Sequence, residues 1–254
     1  MGFFHGSWSL AGFFGALVSL LMIYLGLSPL IHFIIAFVFV GILVLWNSKY
    51  LVQTKIVKVK EKVKKSVFQF PDRILIWLGI ISFCCMASEG IMFDWSGVYF
   101  KEIVKAPATL VALGYTCFMI TMASGRFLSD VLVQKYGSQK IIIASGITIT
   151  FGLYVAVIFP YLIPCTIAFM LVGFGVSNVV PIVFNRAGKL TTVATEKALT
   201  IISSISFLGF LIAPPIIGYI AQITSLRYSF ATIGIFGIFI SIVTFRKKLF
   251  INKT

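Results

Sequence analysis

Eight long apolar runs divide this chain of 254 residues, and they constrain its fold more than any other feature. The runs lie near 7–27, 31–46, 74–96, 109–129, 141–159, 162–184, 198–222 and 228–245. A bilayer core about 30 Å thick is crossed by a helix of roughly 20 apolar residues. Because lipid offers no partners to backbone amides, runs of this length form helices. We therefore predict an all-α, polytopic membrane protein with about eight transmembrane helices.

The composition agrees with this prediction and argues against several classes of function. Hydrophobic residues make up 59% of the chain and charged residues 11%, and the mean hydropathy of +1.06 is far above that of soluble domains. The net charge is +14, but the basic residues cluster between apolar runs, so we expect no nucleic-acid partner. The 7 acidic residues and 2 histidines form no nucleophile–base pair, metal pair or phosphate-binding loop. We expect no enzyme activity, metal or cofactor.

The positions of the 21 lysines and arginines predict the orientation of the chain. The polar interval between the second and third runs is rich in lysine, and cytoplasmic loops carry such an excess. If it is cytoplasmic, the residues on the opposite side are only Lys101, Lys105 and Arg227, and both termini are cytoplasmic. The same interval predicts three parts: two helices in 1–48, a basic linker in 49–72 attracted to anionic lipid headgroups, and six helices in 73–254.

A charged stretch, "GRFLSDVLVQKYGSQK" (125–140), interrupts the apolar pattern at the predicted cytoplasmic end of the fourth helix. Arg126 and Asp130 are four positions apart, so they share a helix face and could pair with each other or with a neighbour. Gly125 permits close approach of another backbone, and Gly137 suits a tight turn. Lys135 and Lys140 lie where cytoplasmic loops prefer cations. Ordinary cytoplasmic loop charges are the alternative interpretation.

The order of these residues resembles the motif that the major facilitator superfamily carries between the second and third helices of each six-helix half. Here "VLVQ" separates Asp130 from Lys135, whereas the commonest form has the basic residue directly after the acid. Three further stretches are similar to the seventh, tenth and eleventh helices of bacterial inner-membrane permeases: "EGIMFDWSGVYFKE" (89–102), "GFGVSNVVPIVFNRAGK" (173–189) and "FLGFLIAPPIIGYIAQ" (207–222). The resemblance implies that the charged stretch is a conformational gate.

The resemblance covers the whole chain and maps it onto the fifth to twelfth helices of a twelve-helix transporter. The stretch "FHGSWSLAGFFGALVS" (4–19) is similar to the start of the fifth helix. This implies a partial facilitator fold without the first four helices, in a bacterial inner membrane. The expected function is secondary transport of a small polar solute by alternating access, with proton coupling as one option. The alternative is a non-transporting membrane module or gene remnant that associates with other helices, such as the missing ones.

Two acids in the third run are candidates for the transport site, because a charge inside a membrane helix is costly and usually functional. Glu89 lies roughly 24 Å along the helix from Arg73, and we predict that it lines the central cavity and binds a proton or a polar group. A structural hydrogen bond to another helix is the alternative. Asp94 is a candidate for the same role or a solvated carboxylate, and Trp95 is a substrate-stacking ring or an interfacial anchor.

Polar and proline residues of the sixth and seventh helices complete the candidates. Asn178 and Asn185 are seven positions apart and so share one face, which could contact a polar solute or hydrogen-bond to another helix. Pro181 lies between them. We predict that helices bend at the prolines, because proline breaks the backbone hydrogen-bond ladder, and the other two are Pro214 and Pro215.

Overall fold

The computed structural model describes residues 2–50, 72–190, 194–247 and 249–250. Within these ranges the chain forms eight α-helices and two short 3-10 helices, with no strand. The α-helices are α1 (Gly2–Tyr24), α2 (Pro29–Asn47), α3 (Arg73–Glu102), α4 (Leu113–Tyr136), α5 (Ser138–Ile158), α6 (Leu162–Gly188), α7 (Thr195–Ile223) and α8 (Leu226–Lys247). The described part of the chain has 7 helices long and apolar enough to cross a membrane, α2 to α8. The predicted all-α membrane fold is confirmed.

Several helices extend beyond the apolar runs that predict them. The third run ends at 96, but α3 continues to Glu102, and the fourth run ends at 129, but α4 continues to Tyr136. Backbone hydrogen bonding does not stop at the edge of the hydrocarbon, and charged side chains near helix ends reach the interface. Asp130 and Lys135 therefore lie within α4, and Gly137, with φ 83°, separates α4 from α5.

Local sequence explains where two of the helices begin. Ser28 precedes α2 and its Oγ accepts a hydrogen bond from the backbone N–H of Ile31 at 3.5 Å, while Pro29 occupies the first turn. Asp72 precedes α3, and its Oδ1 accepts from the N–H of Ile74 at 3.1 Å. Both are N-cap contacts that satisfy a backbone donor left free in the first turn of a helix.

The chain divides into two compact units, residues 14–70 and residues 1–13 with 71–254. In the smaller unit, α2 is apolar along its length and none of its residues is buried. The predicted basic linker, 49–72, lies outside the described residues except at 49–50 and 72. The division into 1–48, 49–72 and 73–254 stays a prediction.

In the larger unit, α3 and α6 are the most buried helices. The helix α3 packs mainly on α7, α6 packs on both α4 and α5, and α5 also packs on α8. An aromatic cluster fills part of the core at one end of α3, where the ring centroids of Tyr99 and Phe230 are 4.5 Å apart. The Tyr99 hydroxyl donates to the carbonyl oxygen of Ala156 at 2.9 Å, so a buried polar group in this cluster is paired.

Glycine brings the most closely packed helices together. A Cβ at Gly209 of α7 would overlap the carbonyl oxygen of Phe83 in α3. The helices α5 and α8 approach each other through Gly146 and Gly237, where a Cβ on either would overlap the other's carbonyl oxygen. Between membrane helices, small residues permit this approach and the van der Waals contact it provides. These contacts set how closely α3 approaches α7 and α5 approaches α8.

Candidate functional site

Glu89 of α3 and Arg126 of α4 form a buried ion pair. One guanidinium nitrogen of Arg126, Nη2, donates to both carboxylate oxygens of Glu89, at 3.0 and 3.1 Å. The two side chains are 1% and 2% exposed, respectively. Each residue lies near the middle of its helix, since α3 spans 73–102 and α4 spans 113–136. The pair is therefore far from both ends of the helices that carry it.

A third helix reaches the same ion pair. The Nη1 of Arg126 donates to the Oγ of Ser9 in α1, and Ser9 is fully buried. Ser9 belongs to the same compact unit as α3 and α4. One guanidinium thus contacts side chains from two other helices through its two terminal nitrogens.

Packing around the ion pair brings α1 close to α4. A Cβ at Gly6 would lie 2.9 Å from the Phe127 ring, and a Cβ at Gly12 would lie 3.0 Å from the Met119 side chain. These two glycines are on either side of Ser9 along α1. The approach places the Ser9 hydroxyl within reach of Arg126, and a residue larger than glycine at either position would require the Phe127 ring or the Met119 side chain to shift.

An aromatic group lies one helical turn beyond Glu89 along α3. The ring of Phe93 makes edge contacts with Tyr115 at 5.6 Å, Phe118 at 6.2 Å and Phe210 at 5.7 Å between centroids. Residues four apart share a helix face, so Phe93 follows Glu89 on the same side of α3. The aromatic group joins α3, α4 and α7 and forms an apolar layer next to the charges.

Electrostatics explains why this arrangement is unusual. Removing two ions from water costs several kcal/mol for each, and mutual attraction offsets this only when the geometry is good. Ionisable residues inside membrane segments are rare, and they mark substrate, ion or proton pathways. Arg126 lies ten residues before the end of α4. The carboxylate of Glu89 compensates the charge of this buried guanidinium.

Comparison with known proteins identifies the family. Residues 78–250 match the model of the Major Facilitator Superfamily, which is more than half of the chain. The chain belongs to the major facilitator superfamily. This is a family of membrane transporters, and the facilitator fold agrees with the all-helical architecture and with the resemblance that the charged stretch indicates.

Two curated relatives and one solved structure show how far the likeness extends. An uncharacterized MFS-type transporter of Yersinia pestis is 33% identical over 235 residues, which cover 92% of this chain and 60% of that protein. The membrane protein MosC of Rhizobium meliloti is 32% identical, over 66% of this chain and 41% of MosC. The facilitator FucP in its outward conformation has a TM-score of 0.62 at 18% identity, over 68% of this chain and 42% of FucP. The chain therefore spans about two fifths to three fifths of each.

The other acidic and aromatic candidates of α3 lie apart from the ion pair of this facilitator. Asp94 is exposed, five positions from Glu89 and so on another side of the helix. Trp95 is half-buried, and its indole Nε1 donates to the carbonyl oxygen of Pro214 in α7 at 3.2 Å. Trp95 thus contacts a second helix, and the sequence analysis did not predict this contact.

The two asparagines of α6 have different surroundings. Asn178 is 2% exposed, and its Nδ2 donates to the carbonyl oxygen of Phe174 and to Ser177 Oγ, at 3.3 and 2.9 Å. Asn185 is half-buried. Asn178 lines a cavity together with residues of α4 and α5. The helix α6 runs through Pro181, and α7 runs through Pro214 and Pro215.

The charged stretch divides into a buried and an exposed part. Gly125 is buried, and a Cβ there would overlap the side chain of Ser177 in α6, so close helix approach explains this glycine. Asp130 is exposed, and the ion pair of Arg126 is with Glu89 rather than with this acid. Lys135 and Lys140 are also exposed, and the ammonium of Lys135 lies 5.1 Å from the centre of the Tyr136 ring.

The sequence singles out Glu89, and its contact with α4 agrees with the alternative interpretation of a hydrogen bond to another helix. The sequence does not indicate Ser9, because a serine in an apolar helix is common and hydrogen-bonds easily within its own helix. It groups Arg126 with Asp130 and two lysines, which hides the contact with Glu89. A usable signal is that one acid, Glu89, and one base, Arg126, both lie within apolar runs, because two opposite charges inside membrane helices favour pairing with each other. Among the described residues, no group of three or more His, Cys, Asp or Glu could hold a metal ion.

Proposed function

We propose that this facilitator moves a small polar solute across the membrane by alternating access, and that the Glu89–Arg126 pair is the charged element that the solute or a proton engages. The observation that carries the proposal is the burial of both charges near the middle of α3 and α4. In secondary transporters the binding site lies near the midplane of the bilayer, between two halves that rock around it. Two buried charges near the middle of long apolar helices have the chemistry that such a site needs.

The chemistry of the pair supports both solute binding and proton coupling. Arg126 carries donors that suit a carboxylate or hydroxyl of a solute, and Glu89 is an acceptor for hydroxyl or ammonium groups. Protonation of Glu89 would remove its charge and release Arg126 for another anionic partner. Because Arg126 also donates to Ser9, the same event would change the contact between α4 and α1. We propose this as the link between proton binding and movement.

The exposed part of the charged stretch is proposed to act in gating. Asp130, Lys135 and Lys140 lie at or beside the junction of α4 and α5, and Gly137 allows the tight connection with its positive φ. A positive φ suits glycine because it has no Cβ. Charges at this junction could hold one conformation by pairing with the opposite half and release it in the other. Gly125 contributes by close packing on α6.

We propose that the protein resides in a bacterial inner membrane with both termini in the cytoplasm. The basis is the distribution of lysine and arginine, of which only three residues fall on the opposite side in this orientation. The basic stretch 49–65 would then face anionic lipid headgroups. The bacterial relatives are consistent with this location.

A second candidate function is a membrane module that associates with other helices and does not itself transport. Its support is that the contacts of Arg126 with Glu89 and Ser9 join α4 to two other helices, as a purely structural contact would. Measured uptake of any solute by the protein would exclude this candidate.

Binding to the ion pair can be tested with the purified protein in detergent. A panel of monosaccharides, polyols, hydroxy acids and amino acids would be screened for compounds that raise the thermal midpoint, since a ligand stabilises by about 2.7 kcal/mol at 100 times its Kd. We expect at least one compound to stabilise the wild type and not the E89Q/R126Q variant. The D94N variant is the matched control, because Asp94 is exposed on the same helix, and it should respond like the wild type.

Two outcomes would overturn the proposal for the site. If no compound stabilises the wild type, the ion pair does not bind a polar solute of these classes. If a compound stabilises E89Q/R126Q as much as the wild type, the solute binds elsewhere.

A further inference from the structure

We propose that the cavity between the beginning of α3 and the end of α8 binds the headgroup phosphate of an anionic membrane phospholipid, such as phosphatidylglycerol. Its lining residues are Arg73, Ile76, Trp77 and Lys247. This goes beyond the transport proposal, because Glu89 lies about 24 Å along α3 from Arg73. In the orientation proposed above, the cavity faces the inner leaflet.

Two cations from different helices line this cavity, which has a volume of about 320 Å³. Arg73 is the first residue of α3 and Lys247 is the last residue of α8, and the two helices pack on each other. The fold therefore brings together two like charges from distant parts of the chain. Two like charges on the walls of one cavity repel each other, and an anion between them is attracted by both.

Neither cation has a carboxylate partner within the part of the chain that the structure describes. The salt bridges of the described residues include neither Arg73 nor Lys247. The neighbouring acid, Asp72, does not line the cavity, and its Oδ1 accepts from the N–H of Ile74. Arg73 also lies in the first turn of a helix of 30 residues, where the helix dipole favours an anion over a cation. These observations favour a bound anion at this end of α3.

Trp77 indicates that the cavity lies at the level of the lipid headgroups. It is half-buried and one turn along α3 from Arg73, and tryptophan is enriched where its ring can lie at the membrane interface. Ile76 lines the cavity, and Ile80, one turn farther along α3, is also half-buried. The order along α3 is thus cation, aromatic ring and apolar side chains. A phosphate that carries hydrocarbon chains matches this order, whereas a soluble phosphate would use only the cations.

The contact between Lys247 and Trp77 indicates which headgroup fits. The Lys247 ammonium lies 4.6 Å from the centre of the Trp77 ring. Aromatic rings can bind the quaternary ammonium of choline, but here a lysine already occupies a face of the ring. Choline or ethanolamine would also meet two charges of its own sign, Arg73 and Lys247. A guanidinium binds phosphate through paired donors and an ammonium binds it as a point charge, so a headgroup without a cation fits best.

Native mass spectrometry of the purified protein in detergent can measure the affinities for dioleoyl phosphatidylglycerol and for phosphatidylcholine with the same chains. We expect the wild type to bind phosphatidylglycerol about tenfold more tightly, because cations near a membrane surface attract anionic lipids. The R73Q/K247Q variant should bind the two lipids equally. The matched control is K189Q/K197Q, which removes two exposed cations beside the junction of α6 and α7 and should keep the preference of the wild type.

Two further measurements separate this proposal from its alternatives. Glycerol 3-phosphate presents the same phosphate without acyl chains, and at equal concentration it should not displace phosphatidylglycerol. The E89Q/R126Q variant should keep the lipid preference, so failure of the lipid proposal would leave the transport proposal standing. All four substituted cations are exposed, so both charge variants should keep the thermal midpoint of the wild type.

Four results would each overturn the lipid proposal. They are equal affinities of the wild type for the two lipids, an unchanged preference in R73Q/K247Q, the same loss of preference in K189Q/K197Q, and displacement of phosphatidylglycerol by glycerol 3-phosphate.

Discussion

At the scale of single residues, the pair of Glu89 and Arg126 has the largest energetic consequence. Each charge is buried, and each has the other as its compensation. A buried pair adds little net stability compared with apolar residues of similar volume, but removal of one partner leaves an uncompensated charge. The two substitutions should therefore be strongly non-additive.

We expect E89Q to lower the stability of the protein by about 3–5 kcal/mol, because the guanidinium of Arg126 would remain buried without its counter-ion. The double variant E89Q/R126Q should recover most of this loss, since neither buried charge remains. The measurement is the thermal midpoint of the purified protein in detergent for the wild type, both single variants and the double variant.

The matched control is D94N, which removes an exposed acid from the same helix and should change stability by no more than about 0.5 kcal/mol. Equal losses in E89Q and E89Q/R126Q would contradict mutual compensation of the two charges.

The sequence singles out Glu89 but not the residue that pairs with it, and the reason is physical. A lone acid in a run of about 20 apolar residues is visible without any neighbour. Which base compensates it depends on how α3 and α4 pack, and that packing is set by contacts between distant parts of the chain. Ser9 shows the same limit, because its partner Arg126 is 117 positions away along the chain.

At the scale of helices, glycine-mediated contact decides how α3 and α7 pack. We expect G209A to destabilise the protein by about 1–3 kcal/mol, the usual cost of overpacking. Its Cβ would overlap the backbone oxygen of Phe83, which cannot move aside as a side chain can. G41A is the control, since a Cβ at Gly41 in α2 would meet nothing within 4 Å.

Thermal unfolding in detergent checks both substitutions. The control should be neutral or stabilising by up to about 1 kcal/mol, as alanine is the better helix former. A G209A variant as stable as G41A would show that α3 and α7 are not in close contact.

Element existence was predictable from the apolar runs, and element ends were less so. The runs locate α3 to α8 because helices in lipid need that length of apolar sequence. The ends differ by several residues at Glu102 and Tyr136, since helical hydrogen bonding continues into the polar interface. Gly137 was predictable as a turn residue from the sequence. Its φ of 83° is one that few residues other than glycine tolerate.

At the scale of the whole molecule, topology follows from the basic residues. The positive-inside rule places the carboxyl terminus in the cytoplasm and Lys105 on the opposite side of the membrane. We therefore expect green fluorescent protein fused at the carboxyl terminus to be fluorescent. Alkaline phosphatase fused after Lys105 should be active. Fluorescence and phosphatase activity of the two fusions, each tested with both reporters, are the measurements. Reversed activities would contradict the orientation.

The fold class and family of the whole molecule were accessible from sequence, whereas the solute is not. Hydropathy shows that the chain forms membrane-spanning helices and where each one lies, and the charged stretch resembles a family motif. Solute choice depends on side chains that two halves bring together, and the chain spans 60% of the Yersinia relative. The ion pair of Glu89 and Arg126 gives the chemistry of a site without the shape of its ligand.

The most direct test of transport that depends on the ion pair is solute uptake into proteoliposomes. These contain the protein in the form in which cells produce it. The solute is one that stabilises the purified protein, and an inside-alkaline pH gradient is applied. We predict uptake above that of empty vesicles, loss of this uptake in E89Q, and its retention in D94N. Uptake by E89Q equal to that of the wild type, or uptake by the wild type no greater than that of empty vesicles, would contradict the account.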